Sequence, residues 1–196
     1  MLNDRFSTLA LLATRRSGKP REMVAPGPSA DELNQILAIA ARTPDHGKLF
    51  PWRLIVVPDD RRDALADLLL RALAIEHSDC LPAKRDAAIE FAQQAPSLVV
   101  LVSAPITGHK IPLWEQQLSS GAVAMNLLTA ATAMGFVGGW ITGWPAYSKT
   151  VRATFCAAGE RIAGFFFLGS PGRPLEERPR PAMNQISSVW NGLRSP

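Results

Sequence analysis

The segment Leu98-Val-Val-Leu-Val102 is five apolar residues without a break. A half-exposed strand alternates apolar and polar side chains, so an unbroken, Val-rich run of this length predicts a strand covered on both faces. Such a strand requires helices on two sides of a sheet. The rest of the chain offers them. Ser29-Ala-Asp-Glu32 has capping-box spacing and opens a helix with Leu33, Ile36, Leu37 and Ala40 on one face. That helix stops near Arg42, because Pro44 disfavours helical geometry at Thr43. Residues 60 to 76 place Leu65, Leu68, Leu69 and Ala72 at helical spacing, and Ala83 to Gln94 reads as a further helix. Leu113 to Met134 reads as a long buried helix ended by Gly135. The N-terminal residues 4–15 read as a helix with Leu2, Phe6, Leu9 and Ala13 at its spacing and Asn3 as its cap. Strands are expected at Trp52–Val57, Val137–Thr142 and Ile162–Leu168, with a short helix over Ser148–Ala157. Two helices followed by mixed strands and helices predict an α+β or α/β sheet flanked by helices.

From Pro171 onward the pattern lapses into prolines and arginines without period. This segment is expected to be an extended arm, part of the same domain as residues 1–170, either disordered or laid across a surface such as a partner subunit, with Trp190 favouring docking.

The 196 residues fit one domain, and 47% hydrophobic against 19% charged residues is an ordinary globular balance. The formal net charge of +4 comes from arginines in scattered pairs, not from the dense stripe of a nucleic-acid binder. It suits a small anionic ligand. Cys80 and Cys156 lie far apart, which argues against a disulfide framework or a zinc site and for a reducing compartment. The first residues do not have the form of a signal peptide. Leu118 to Met134 is too short and too polar for a membrane span, so a cytoplasmic protein is expected. G-x-G-x-x-G after a strand, the P-loop, H-E-x-x-H and G-x-S-x-G are all absent. His46, His77 and His109 lack metal-ligand spacing.

Four short segments carry chemistry. Arg15-Arg16-Ser17, with Lys19 close behind, puts two guanidinium forks, a hydroxyl and an ammonium at a helix end, a set suited to phosphate. The same cations would also complement the helix dipole. Arg42-Thr43-Pro44-Asp45-His46 presents Arg42 and His46 in a Pro-bounded loop before Pro51-Trp52. Gly138-Gly139-Trp140-Ile141-Thr142 combines strand glycines, which permit close approach of a ligand, with an aromatic ring. Gly169-Ser170-Pro171-Gly172-Arg173 sets a cation just beyond a strand end. Each segment also has an ordinary structural explanation, as a surface histidine, a tight turn or an exposed cation.

Taken in order, these segments resemble the nitroreductase family, in particular its small, single-domain YdjA-like branch. The resemblance rests on Arg15-Arg16-Ser17, the Ser-capped helix ending in Arg42-x-Pro44-Asp45-His46, and Pro51-Trp52 opening a strand. It continues through Lys110 to Gln116 before the long helix, Gly135-Phe136, Gly139-Trp140 and Phe165 to Pro171. It implies an α+β fold with a mostly antiparallel sheet flanked by helices, in a domain-swapped homodimer. FMN would lie at each of two subunit interfaces. Arg15, Arg16 and Ser17 would hold its phosphate and ribityl region, with Arg173 closing on the phosphate. Lys19 would stand near flavin N1, Arg42 and His46 would approach the flavin from the partner, and Trp140, Ile141 and Thr142 would line the ring. The implied reaction is ping-pong hydride transfer from NAD(P)H through flavin N5 to an electron-poor acceptor such as a nitroaromatic or quinone. No side chain is assigned as an obligatory acid or base. The alternatives are a flavin enzyme of the same fold with another reaction (activated C=C reduction, dehalogenation, flavin breakdown) or a polyanion-binding module. The chain departs from the pattern at Gly47-Lys48-Leu49-Phe50 and at Ile141, where relatives carry a basic residue.

Overall fold

The computed structural model describes residues 1–77 and 81–192; Cys80 lies outside them. Five strands form one antiparallel sheet: β1 Met23–Val24, β2 Trp52–Val57, β3 Ser97–Ser103, β4 Val137–Ile141 and β5 Arg161–Pro171. β5 lies between β3 and β4, β2 pairs with the far edge of β3, and β1 pairs with the last two residues of β5. The helices are α1 Thr8–Thr14, α2 Ala30–Ala40, α3 Arg62–Glu76, α4 Pro82–Gln93, α5 Leu113–Ala133, α6 Gly143–Tyr147, α7 Lys149–Phe155 and α8 Met183–Ile186. The fold is α+β, with helices on both faces of an antiparallel sheet.

Side-chain alternation explains why β3 and the middle of β5 are apolar throughout. Leu98, Val100, Val102, Phe165 and Phe167 point to a core shared with α3, α4, α6 and α7. Val99, Leu101, Phe166 and Leu168 point the other way, onto α2 and α5. All nine are fully buried. Burial of one such side chain stabilises the fold by about 1.5–3 kcal/mol. Phe91 of α4 adds edge-on contacts to Phe165 and Phe167, with ring centroids at 5.2 and 5.3 Å.

β2 begins and ends as the sequence predicts, and the Ser29 capping box is present in both directions, with Ser29 N–H on Glu32 Oε2 at 2.8 Å and Glu32 N–H on Ser29 Oγ at 3.3 Å. Gly135 adopts φ +100° after α5, where a side chain would be strained.

The N-terminus differs from expectation. α1 starts only at Thr8, with Ser7 as its N-cap. Asn3 (φ 54°) caps the opposite end instead: its N–H reaches Thr14 O at 3.0 Å and its Oδ1 accepts from Arg16 N–H at 2.6 Å. A carboxamide residue tolerates the left-handed region and can satisfy groups a helix leaves open. Phe6 and Leu9 are exposed, and Leu11 is the residue of α1 that is buried. β1 and α6 lack a sequence signal, and β5 runs on past Leu168 to Pro171 because β1 pairs with its end. The C-terminal segment contains the four-residue helix α8, and Trp190 is exposed.

α5 spans roughly 32 Å at 1.5 Å per residue. Val123, Ala124, Leu127 and Ala131 face the sheet, whereas Trp114, Leu118 and Met125 form an exposed apolar seam at spacings of four and seven.

Candidate functional site

Arg15, Arg16, Ser17 and Lys19 follow α1 directly and lie against β4, where Gly18 N–H donates to Gly138 O at 3.2 Å. They line a cavity of about 630 Å³ together with Gly139, Trp140 and Ile141 of β4 and Met125 and Leu128 of α5. β4 is hydrogen-bonded to β5 along one side, and Gly18 N–H also takes Gly138 O.

Five cations (Arg15, Arg16, Lys19, Arg21, Arg178) and three carboxylates (Glu22, Glu176, Glu177) line the cavity, an excess of two positive charges. Arg16 is only 9% exposed. Its Nε donates to Glu176 O at 2.8 Å, while Nη1 and Nη2 have no partner among the described residues. Arg15 Nη1 donates to Ser17 Oγ at 3.3 Å. Burial, followed by mutual repulsion with Arg16 and Arg180, pushes Arg15 below the ordinary guanidinium value. Burial also lowers Arg16, with repulsion from Arg178 and Arg180 adding to it. Glu177 and Glu176 act on Arg16 in the opposite direction without cancelling these effects, and an anion in the cavity would relieve what is left. Lys19 is engaged by Glu22 at 3.3 Å.

Trp140 is 41% exposed yet firmly held. Its ring lies 5.3 Å from Phe166, and Nε1 donates to Ala163 O at 2.9 Å. That carbonyl is available because the β3–β5 register shifts at Ala163, from Leu101↔Gly164 to Val102↔Ile162. The neighbouring Gly164 leaves room for the indole: a Cβ there would stand 2.1 Å from Trp140 Nε1.

The other expected residues lie elsewhere in the chain. His46 bonds Glu115 through Nδ1 at 2.7 Å. Glu115 precedes Met125 by ten residues on α5, which is about 15 Å along the helix. The carbonyl of Arg42 accepts from Asn126 Nδ2 at 3.1 Å, and its side chain is exposed. Thr142 caps α6 and stands just outside the cavity lining. Arg173 faces a different cavity, with Arg5, Phe136 and Leu175. Of the arginines beyond β5, the one that lines the cavity with Arg16 is Arg178, with Arg180 adding its field. Local sequence could not single out Arg178 from its neighbours; the contact that does so is the Glu176 carbonyl on Arg16.

Among the described residues no cluster of His, Cys, Asp or Glu could hold a metal ion, and no helix is long and apolar enough to cross a membrane.

A model of the nitroreductase family matches residues 12–170. The Escherichia coli (strain K12) protein YdjA, provisionally named an NAD(P)H nitroreductase, is 34% identical over 171 residues, 85% of this chain and 89% of that protein. Among solved structures, a nitroreductase-like family protein from Bacillus cereus aligns with a TM-score of 0.80 at 19% identity, covering 95% of this chain and 97% of its own. The structure described as the FMN and NADPH-dependent nitroreductase NfnB from Sphigopyxis sp. strain HMH aligns at 0.72 and 20% identity, covering 96% and 100%.

Proposed function

The chain belongs to the nitroreductase family, and from that premise we propose that it is an FMN-dependent NAD(P)H oxidoreductase acting on a flat, electron-poor acceptor such as a nitroaromatic or a quinone. The observation that carries this reading is Arg16, a residue 9% exposed whose Nε is held by the Glu176 carbonyl, in a cavity with excess positive charge beside an exposed and immobilised indole. A phosphate of roughly −1.5 to −2 charge balances the lining. The edge of β4 and the Trp140 ring suit the flat remainder of the cofactor.

FMN, when bound, supplies two-electron transfer, so that NAD(P)H and a proton are consumed as a quinone becomes a hydroquinone, or a nitro group becomes nitroso and water. The protein binds and orients. Arg15, Arg16 and Ser17 hold the phosphate, and Arg178 takes the part that sequence assigned to Arg173, since it faces the same cavity. Lys19 approaches the ring by exchanging its contact with Glu22. Ile141 lines the cavity beside Trp140, and Thr142 stands at its margin.

His46 lies about 15 Å along α5 from the cavity, Arg42 is exposed and outside the cavity lining, and we place both over the site of a second copy. A homodimer also covers the exposed Trp114, Leu118 and Met125 seam, Phe6 ahead of α1, and Leu9 and Leu12 of α1. The arm lies on its own chain as far as Arg178, and its outer part, with exposed Met183, Ile186, Val189 and Trp190, then packs on the partner.

The test is an absorbance spectrum of the purified protein with and without added FMN, repeated for Arg16→Ala. Flavin bands that stay with the wild-type protein and weaken at least tenfold in occupancy for the variant support the reading, as does bleaching by NADH or NADPH. A protein that takes up no FMN overturns it.

A further inference from the structure

The segment that leaves β5 forms one wall of the Arg15–Arg16 cavity, with Leu175, Glu176, Glu177 and Arg178 in the lining. It is held there lightly. Leu175 is half-buried and the other residues from 171 to 180 are exposed. Gly172 N–H donates to Glu22 O at 2.9 Å, Leu175 packs against the core shared with α3 and α4, and Arg16 Nε donates to Glu176 O at 2.8 Å. Among the described residues the Arg16 bond is the last hydrogen bond between the arm and the rest of the chain. Beyond it the arm bonds only to itself, as in Glu177 Oε1, which accepts from Arg178 N–H at 2.8 Å and Arg180 Nη2 at 3.1 Å. Pro174 and Pro179 stiffen the segment, so fixing it costs little entropy.

Charge works against closure of this wall. Arg178 and Arg180 act on Arg16 more strongly than Glu177 and Glu176 act against them, and Arg180 also repels Arg15. Arginines of the arm on one side thus face Arg15 and Arg16 on the other. A phosphate placed between them reverses the sign, because both sets then share one anion. Arg16 can serve both sides at once. With Nε on the Glu176 carbonyl, the edge formed by Nη1 and Nη2 remains for two phosphate oxygens.

We propose that residues 172–178 are a strap that closes on a phosphate group, with Arg16 as the joint between strap and anion. The proposal rests on the reading of this cavity as the phosphate end of the cofactor site and adds a coupling to it. Phosphate binding and strap closure favour each other by the same factor. Retention of the cofactor is then set by the strap as well as by Arg15, Arg16 and Ser17.

The experiment is limited proteolysis of the full chain with a Glu-specific endoprotease, which cuts after Glu176 or Glu177 when the strap is open. Intact mass identifies the loss of residues 177–196 or 178–196. Rates are referred to those of a free peptide of residues 172–182, which removes any effect of phosphate or of a substitution on the protease itself. Sodium chloride at matched ionic strength is the control. Saturating inorganic phosphate is expected to slow cleavage about tenfold, the worth of one charge-assisted hydrogen bond. FMN does the same, and riboflavin, which lacks the phosphate, does not. By calorimetry the cleaved protein binds phosphate about tenfold more weakly than the intact one. Arg16→Lys keeps the charge but lacks the second edge, so it binds phosphate more weakly and loses the protection. Arg180→Gln, at an exposed position, removes part of the repulsion. Its strap is cut more slowly than that of the wild type before phosphate is added. Equal cleavage with and without phosphate, cleavage in neither, equal protection by chloride, or protection intact in Arg16→Lys overturns the proposal. So does riboflavin protecting as well as FMN. Protection by inorganic phosphate but not by FMN keeps the strap and sinks the cofactor reading.

Discussion

Gly164→Ala tests the geometry around Trp140 directly. The backbone of Gly164 lies outside the left-handed region, so alanine is acceptable to the main chain and the whole effect comes from the added methyl group. That Cβ would stand 2.1 Å from Trp140 Nε1, 2.4 Å from Cδ1 and 3.3 Å from Phe166 Cε2. The indole must swing away, which breaks its bond to Ala163 O, a loss of about 0.5–1.5 kcal/mol. Overpacking costs about 1–3 kcal/mol. The reduced entropy of the unfolded chain returns roughly 0.4–1 kcal/mol. The net expectation is a loss near 2 kcal/mol, or about 4–8 °C in Tm for a chain of this size. Urea melts at fixed protein concentration measure it. The decisive comparison is a double-mutant cycle with Trp140→Ala, which removes the obstructing ring. Introduced into that background, Gly164→Ala becomes nearly neutral, giving a coupling close to 2 kcal/mol. An additive cycle, or a single variant within about 0.5 kcal/mol of wild type, refutes the claim that this glycine exists to seat the indole.

Three further outcomes follow from contacts at the ends of elements. Glu76 Oε1 accepts from Ser148 Oγ at 2.9 Å and Thr150 N–H at 2.7 Å, capping the start of α7. Burial raises its pKa, but these hydrogen bonds outweigh burial and hold the carboxyl below its ordinary value. Its stabilisation is therefore complete above the unfolded value near 4.3 and is lost as pH falls through the lower folded value; Glu76→Gln, which keeps an acceptor oxygen, flattens the acid limb of a urea-midpoint profile between about pH 5 and pH 3. Asn3→Ala deprives Arg16 N–H of its acceptor at 2.6 Å and strains a residue at φ 54°, so it destabilises by about 1–3 kcal/mol; Asn3→Gly relieves the strain alone and costs less in the same melt. Gly47→Ala places a methyl group 2.3 Å from Ile111 Cδ1 at a residue with φ +83°, and a loss of at least about 1 kcal/mol in thermal stability is expected.

Much of the fold was legible because its signals are local. The extent of β2, the two-sided burial of β3 and the Ser29 capping box follow from period and spacing over a few residues. That Arg15, Arg16 and Ser17 meet at one cavity was legible for the same reason, since they are neighbours in sequence. What escaped depends on register or on distant pairing. β1 is two residues long and exists because the end of β5 is available to it. The Ala163 irregularity that holds Trp140 appears only once β3 and β5 are aligned. Phe6 and Leu9 look like core residues by spacing, yet nothing among the described residues covers them. Arg173, Arg178 and Arg180 are equivalent by composition. Arg173 lines one cavity, Arg178 another and Arg180 neither, and what seats Arg178 beside Arg16 is a side-chain to main-chain contact bridging 160 positions of sequence, from Arg16 to Glu176.

The position of β5 also bears on how the protein is made. It comes last among the strands, yet it fills the middle of the sheet and contributes Phe165, Phe166, Phe167 and Leu168 to both cores. A ribosome working at about 5–20 residues per second takes roughly 3–14 s to pass from the end of β3 to the end of β5. Throughout that interval the nascent chain displays the apolar edge of β3 without its neighbour, and a chaperone or a premature sibling contact has its opening then.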